Sequence, residues 1–224
     1  MKRRIALALS VVVALSALSA CSSKPSQQYA KNSETGSYFT VPYGWHRISQ
    51  SQLSKRESTS TAKGAADRAA SVIWQEAFSP SKKVTAKDVF ALDAPSSPIA
   101  FVRVRSLLPD EVNEVSYNFL RDIFVPLTTW LNSSTDSSSS PLPMTGFGMI
   151  NESEFIAKSA HGVRSTFSFT GQGDKSQTFD QTAVVSDDRT LMYILLVRST
   201  TDYYQKHTKE LDKISQSFTI RGAQ

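Results

Sequence analysis

The 224-residue sequence contains one cysteine and three histidines, and its longest uncharged apolar run, Ile5 to Leu18, is 14 residues. A lone cysteine excludes a disulfide framework, a cysteine-ligated zinc site and a CxxC redox centre within one chain. The apolar run falls short of the roughly 20 residues of a transmembrane helix, and a mean hydropathy of −0.26 excludes a multi-spanning membrane protein. The sequence has no Gly-x-Ser-x-Gly elbow, no HExxH, no Walker loop and no dinucleotide fingerprint. The glycine pairs Gly146/Gly148 and Gly171/Gly173 lack the further glycine or lysine of a phosphate cradle and read as turns. What the chain does have is 12 Phe, 7 Tyr and 3 Trp, enough to bury a sizeable core, so it is not disordered overall.

The amino terminus is the most specific segment. Lys2, Arg3 and Arg4 form a basic head, Ile5 to Leu18 an apolar stretch, and Ser19-Ala20 a small pair before Cys21. These are the parts of a secretory signal peptide. Leu18-Ser19-Ala20-Cys21 further resembles the bacterial lipobox. That resemblance implies cleavage between Ala20 and Cys21 and a diacylglycerol on the Cys21 thiol. Two or three acyl chains, at ~0.8 kcal/mol per buried methylene, give stable anchoring where one does not. Removing residues 1–20 takes three basic residues away and leaves 22 basic and 20 acidic, a net charge of about +2 in place of +5. The pI of about 9.3 therefore belongs largely to the leader and is no phosphate footprint.

Residues 21–37 are polar, with Pro, Gly and several Ser, and read as a lipidated cysteine followed by a flexible tether. Residues 38–224 read as a single domain. Strands are expected at 38–42, 45–48, 71–78, 99–105, 162–170 and 176–185. Leu191 to Val197 is a continuous apolar run expected as a central strand buried on both faces. One helix is expected over 110–124, opened by Pro109 and acidic residues, with Val112, Val115, Phe119 and Ile123 on one face. A second runs from a Thr200 or Thr201 cap to about Ser215, with Tyr204, His207/Thr208, Leu211 and Ile214 inward. Residues 132–140 are a serine-rich loop, and 146–157 begins irregularly. The fold class that follows is α+β, a central antiparallel sheet flanked by helices.

Two stretches resemble PsbP-like domains. Phe39-Thr-Val-Pro42-Tyr43-Gly44-Trp45 resembles their opening hairpin, and Tyr193 to Val197 with Leu211, Ile214 and Ser217-Phe218 resembles their closing strand, helix and end. The family includes a photosynthetic oxygen-evolution subunit, a nuclear Ran-binding protein and bacterial lipoproteins of the LpqN-like group. The resemblance implies a sheet between helices and action mostly by binding. It transfers fold-forming residues and no functional ones.

The chemistry-bearing residues are scattered. His46, His161 and His207 lie in different elements, and abundant Ser and Asp make a triad coincidence uninformative. Asp187-Asp188 could hold a cation, yet an acidic pair in a tight turn is ordinarily just solvated. Arg103 and Arg105 with Phe101 are the nearest thing to a basic-aromatic patch, a pattern that an exposed polar strand face also gives. The expectation is therefore no enzyme, no cofactor, no metal and no nucleic-acid partner. The protein reads as an extracytoplasmic module anchored to the cell membrane through Cys21, binding an envelope protein or a small apolar or glycan ligand. The alternatives are an envelope hydrolase with His46 or His161 as base, and an assembly factor of a membrane complex.

Overall fold

The computed structural model describes residues 25–132, 144–171 and 173–221. The expected leader, the Ala20–Cys21 cleavage site, Cys21 itself and residues 133–140 of the serine-rich loop lie outside the described residues. Two antiparallel sheets organise the rest. The larger has seven strands in the order β3-β4-β5-β9-β8-β7-β6, and the smaller three, β1-β2-β10. Here β1 is Gln27–Asn32, β2 Ser37–Pro42, β3 His46–Ile48, β4 Val72–Ser79, β5 Ile99–Ser106 and β6 Thr145–Ala157. β7 is Ala160–Thr170, β8 Ser176–Ser186, β9 Leu191–Thr200 and β10 Thr219–Ile220. The helices are α1 Gln50–Glu57, α2 Ala65–Ala70, α3 Ala86–Phe90, α4 Tyr117–Arg121, α5 Leu127–Asn132 and α6 Thr201–Gln216. The α+β class is as expected from the pattern of strands and helices.

The run Leu191 to Val197 is β9, fourth of seven in the large sheet and buried on both faces. Tyr193, Leu195 and Val197 point to one side, where they pack with Leu211 and Ile214 of α6 and with Phe39 and Val41 of β2. Met192, Ile194 and Leu196 point to the other, beneath the layer that carries α1, α3, α4 and α5. Burying each such side chain contributes roughly 1.5–3 kcal/mol, so the strand is the hinge of both cores. The molecule thus has three layers: the small sheet with α6, the large sheet, and α1 to α5.

Thr200 caps α6 as expected, its hydroxyl accepting from Tyr203 N at 3.3 Å. The helix is fixed by charge as well as by apolar contact. The Arg164 guanidinium on β7 donates to both oxygens of the fully buried Asp180, at 2.8 and 2.5 Å, and to Asp212 of α6 at 3.3 Å. The Tyr204 hydroxyl donates to the same Asp212 oxygen at 3.1 Å. Burial, with the two aspartates beside it, raises the Tyr204 pKa.

Several expectations are corrected. The domain begins by Gln27, not at Tyr38, because residues 27–32 of the expected tether pair antiparallel with 37–42. The ladder, not hydrophobic periodicity, makes this strand: Ala30 is its one buried residue. The proposed 38–48 hairpin is instead a crossover between sheets, since β2 and β3 belong to different ones and Gly44, at φ +90°, turns the chain. The 110–124 helix is reduced to turns over 108–115 followed by the one-turn α4. Ser116 breaks it by adopting an extended backbone and capping Phe119 N. Val112, Val115, Phe119 and Ile123 nevertheless pack inward together. The 146–157 segment lies in the 13-residue edge strand β6, whose irregularity is two register shifts, between Thr145 and Gly148 and between Met149 and Asn151.

Arg105 is 5% exposed, so this strand face is not the open polar one expected. It makes a bidentate pair with Glu111 at 2.6 and 2.8 Å. Burial pushes the Glu111 carboxyl up, but the Arg105 bonds and the Leu108 N–H outweigh it and leave the group below its ordinary value. Glu152 is held low by Arg121. A depressed folded pKa contributes stability that is full above the unfolded carboxylate value of about 4.3 and is lost as pH falls through the folded value. Urea unfolding followed from pH 7 to pH 3 is therefore expected to show stability dropping below about pH 4.3, and Glu111→Gln is expected to flatten part of that drop.

Gly162 gives a sharper test of packing. A Cβ there would lie 2.1 Å from the Ala183 carbonyl oxygen and 2.6 Å from Val184 Cα, both backbone atoms of the neighbouring strand. Gly162→Ala is expected to lower unfolding free energy by about 3 kcal/mol, the upper end of overpacking costs. Gly148→Ala, whose Cβ would meet a serine hydroxyl at an ordinary 3.5 Å, is expected to change it little in the same measurement.

Candidate functional site: an arginine-lined cleft

A concavity that carries chemistry lies on the α1–α5 layer, at the β4–β5 side of the large sheet. It is a cleft of about 570 Å³ bounded by Arg56, Glu57, the 59–62 loop, Arg68, Phe90 and Arg103. Each wall has a local cause. Ser49 and Gln52 form a reciprocal capping box that starts α1, and Leu53, fully buried, fixes which face of that helix meets the sheet. Arg56 and Glu57 then fall in its last turn. Gly64, at φ +70°, precedes α2, whose Arg68 also lines the cleft.

The floor is a buried polar network around Gln75 of β4, which has no exposure. Its amide nitrogen donates to Glu57 Oε2 at 2.8 Å and Ser54 Oγ at 3.2 Å. Its amide oxygen accepts from Arg103 Nε at 3.1 Å and Nη2 at 2.7 Å. Arg103 in turn reaches Glu57 Oε1 at 2.5 Å. The register places Gln75 directly opposite Arg103 across the β4–β5 ladder, which is why one amide can serve both partners. The guanidinium lies 5.2 Å over Phe101 and 5.5 Å over Phe90. Burial lowers the Arg103 pKa and Glu57 opposes that shift.

The two rim arginines differ from the floor one. Arg56 donates to Thr59 Oγ1 at 2.6 Å and Arg68 to the Lys63 carbonyl at 2.9 Å. Neither makes an ion pair among the described residues. Guanidinium groups in this state keep N–H donors in a planar fork suited to carboxylate, phosphate or sulfate. Thr59, Ser60 and Thr61 line the same cleft, and Phe90 adds one aromatic face.

Phe90 is placed by a latch from the centre of the sheet. Arg198 of β9, 1% exposed, donates to the Ala91 carbonyl at 2.6 Å and to the Asp88 carbonyl, both at the end of α3. Gln177 of β8 donates to the Leu92 carbonyl. Arg198 Nε and Gln177 Oε1 have no hydrogen-bond partner among the described residues. Burial pulls the Arg198 pKa down to about 10, against the pull of Asp88 and Asp93, so it is charged at neutral pH.

The residues weighed from the sequence lie elsewhere, apart from Arg103 and its neighbour Phe101. His46 on β3 and His161 on β7 are separated by four strands of the sheet, about 24 Å at ~4.8 Å per strand. His161 Nδ1 lies 3.0 Å from Asp187 Oδ1 at an exposed turn. His207 stacks on Tyr203 at a kink in α6. Asp188 is occupied internally, accepting from Ser186 Oγ, Thr190 Oγ1 and Thr190 N at 2.6, 2.8 and 3.1 Å, and those bonds lower its pKa. Among the described residues no group of three or more His, Cys, Asp or Glu is placed to hold a metal, and no helix is long and apolar enough to cross a membrane. Arg56 and Arg68 carry no motif, being 12 residues apart in a Ser/Thr- and Ala-rich stretch. Nothing short of the tertiary fold brings Arg103 between them.

The sequence matches no protein-family model and no curated protein. Among solved structures it is similar to the solution structure of cyanobacterial PsbP (CyanoP) from Synechocystis sp. PCC 6803, with a TM-score of 0.45 and 14% identity over 91% of this chain and 98% of that one. It is also similar to LpqN of Mycobacterium tuberculosis, described as involved in cell envelope biogenesis, with a TM-score of 0.44 and 12% identity over 87% and 90%. PsbP-like and LpqN-like proteins are the kinds that residues 39–45 and 193–218 resemble.

The floor network predicts a specific energetic signature. Arg103→Ala strands Glu57 in a site where its side chain is 17% exposed, and is expected to cost about 3 kcal/mol, as breaking one half of a buried pair does. The double variant Arg103→Met, Glu57→Met is expected to recover only part of that loss, because it leaves the buried Gln75 amide oxygen without a donor. A denaturant double-mutant cycle measures both.

Proposed function

We propose that the protein is a lipid-anchored, extracytoplasmic binding module of the cell envelope, and that its ligand is an anionic small molecule or glycan held in the arginine-lined cleft. The observation that carries the ligand site is the pair of arginines, Arg56 and Arg68, that line one cleft with Thr59, Ser60 and Thr61 and make no ion pair among the described residues. The chemistry favours a charged or glycan ligand over the small apolar one, because the cleft walls offer donors and a single aromatic face. The anchoring half of the proposal rests on the lipobox-like Leu18-Ser19-Ala20-Cys21. Binding without turnover remains the reading for the mechanism, since none of the three histidines lines the cleft.

Two measurements test it. In a lipoprotein-processing bacterium grown with labelled palmitate, the wild-type chain is expected to take up label and sediment with membranes, whereas Cys21→Ala is expected to do neither; label on the Cys21→Ala protein would refute anchoring there. For the cleft, calorimetric titration with phosphorylated and carboxylated sugars is expected to find saturable binding. Arg56→Gln and Arg68→Gln are each expected to weaken it about tenfold or more, the scale of one hydrogen bond to a charged group. Equal affinity in wild type and the double variant would refute the site. Turnover of an ester, glycoside or peptide substrate that a single His→Ala change abolishes would replace binding with hydrolysis.

A further inference from the structure

The layer opposite the cleft has a distinct surface of its own. On the outer face of the small sheet, β1 presents Gln27, Tyr29 and Lys31, which stand across the ladder from Pro42, Thr40 and Tyr38. Tyr29 is 69% exposed and its ring lies 6.4 Å from that of Tyr38. Arg221 sits 5.1 Å over the Tyr38 ring and donates to its hydroxyl at 3.2 Å. Tyr43, 58% exposed, follows β2 where its N–H meets the Ser26 carbonyl at 3.0 Å. A shallow groove of about 470 Å³, lined by Ser26, Gln27, Thr40, Lys209 and Lys213 among others, joins this sheet face to α6. Lys206, Lys209 and Lys213 are all exposed along that helix, at spacings that share one side. The acidic groups on the same surface are Asp202, Glu210 and, at the far turn, Glu34. Basic residues therefore outnumber acidic ones on a face that also shows several tyrosines.

The position of this face along the chain gives it meaning. β1 begins at Gln27, six residues after Cys21, so at most about 20 Å of extended chain separates the two. A folded unit of this size is about 40 Å across by the usual scaling of radius with length. A tether shorter than the body it holds keeps the attached face near the attachment point. Tyrosine is the side chain enriched at the headgroup level of membranes, and lysine and arginine are drawn to anionic headgroups.

We infer that the outer face of the β1–β2–β10 sheet, with the lysine side of α6, docks on anionic phospholipid headgroups. The inference rests on the anchoring half of the reading above. Tyr29 and Tyr43 insert at the interface while Lys31, Lys209, Lys213 and Arg221 meet phosphates. The arginine-lined cleft, on the opposite layer, then opens away from the bilayer, toward soluble or wall-borne ligands. Cys21 thus fixes the orientation of the domain and not just its address.

The test uses the full chain, processed and acylated by its host, reconstituted into phosphatidylglycerol/phosphatidylcholine vesicles or held in neutral detergent. Lysine acetylation rates are read by mass spectrometry. Lys31, Lys209 and Lys213 are expected to react about fivefold more slowly on the anionic vesicles, and the protection is expected to weaken at high salt. Lys55 on α1 and Lys87 on α3 are expected to be unaffected. Equal rates in vesicles and detergent, with the protein still acylated by mass and floating with the vesicles, would overturn docking and leave anchoring standing. A chain without acyl mass that does not float would overturn both. Protection on intact cells but not on vesicles would assign the face to a protein partner and overturn the membrane assignment.

Discussion

The cleft depends on one buried amide. Gln75 has no exposure, and it bridges a carboxylate from α1 and a guanidinium from β5 through opposite ends of the same side chain. A carboxylate and a guanidinium could pair without it, but the amide sets their separation and occupies the donors that would otherwise be left unsatisfied in a partly dry site. The consequence reaches beyond that trio. With Glu57 committed to Gln75 and Arg103, neither Arg56 nor Arg68 makes an ion pair among the described residues. Glu57, the one carboxylate among the residues lining the cleft, is thus held in the floor and not at the rim.

A second buried charge makes the other wall. Arg198 has no carboxylate within ion-pairing distance among the described residues, yet it stays charged by donating to carbonyls at the end of α3 and lying 5.5 Å over the Phe179 ring. Cations suit helix C-termini, where the carbonyl dipoles converge, and a buried guanidinium with two carbonyl acceptors ties that loop firmly to the sheet. In this way the central strand β9 supplies both the double-faced core and the latch that sets Phe90 against Arg103.

What could be read beforehand follows from how each feature is encoded. The β9 run, the α6 face of Tyr204, Leu211 and Ile214, and the antiparallel α+β class were legible because each is a one-dimensional pattern of apolar spacing. β1 was not, since Gln27 to Asn32 buries Ala30 alone and is held by backbone pairing. The 110–124 segment misleads in the opposite sense. Its apolar residues do face inward, but Glu111 bonds to Leu108 N and Arg105, and Ser116 caps a new turn, so periodicity survives without a continuous helix. Arg103 and Arg105 looked like one exposed stripe; each instead finds its own carboxylate, Glu57 or Glu111, from sequence-distant or loop positions. The cleft stayed hidden because its arginines come from three elements that no spacing rule connects.

The central claim is that Arg56 and Arg68 are free to take an anion while Arg103 is not. Guanidinium Nε–H resonances in a nitrogen-labelled protein, followed during titration with glycerol phosphate, test this directly. The account predicts saturable shifts of the Arg56 and Arg68 signals, with Arg103 and Arg198 unmoved. Signals for Arg56 and Arg68 that stay fixed, or that drift without saturation alongside every other surface arginine, would contradict it.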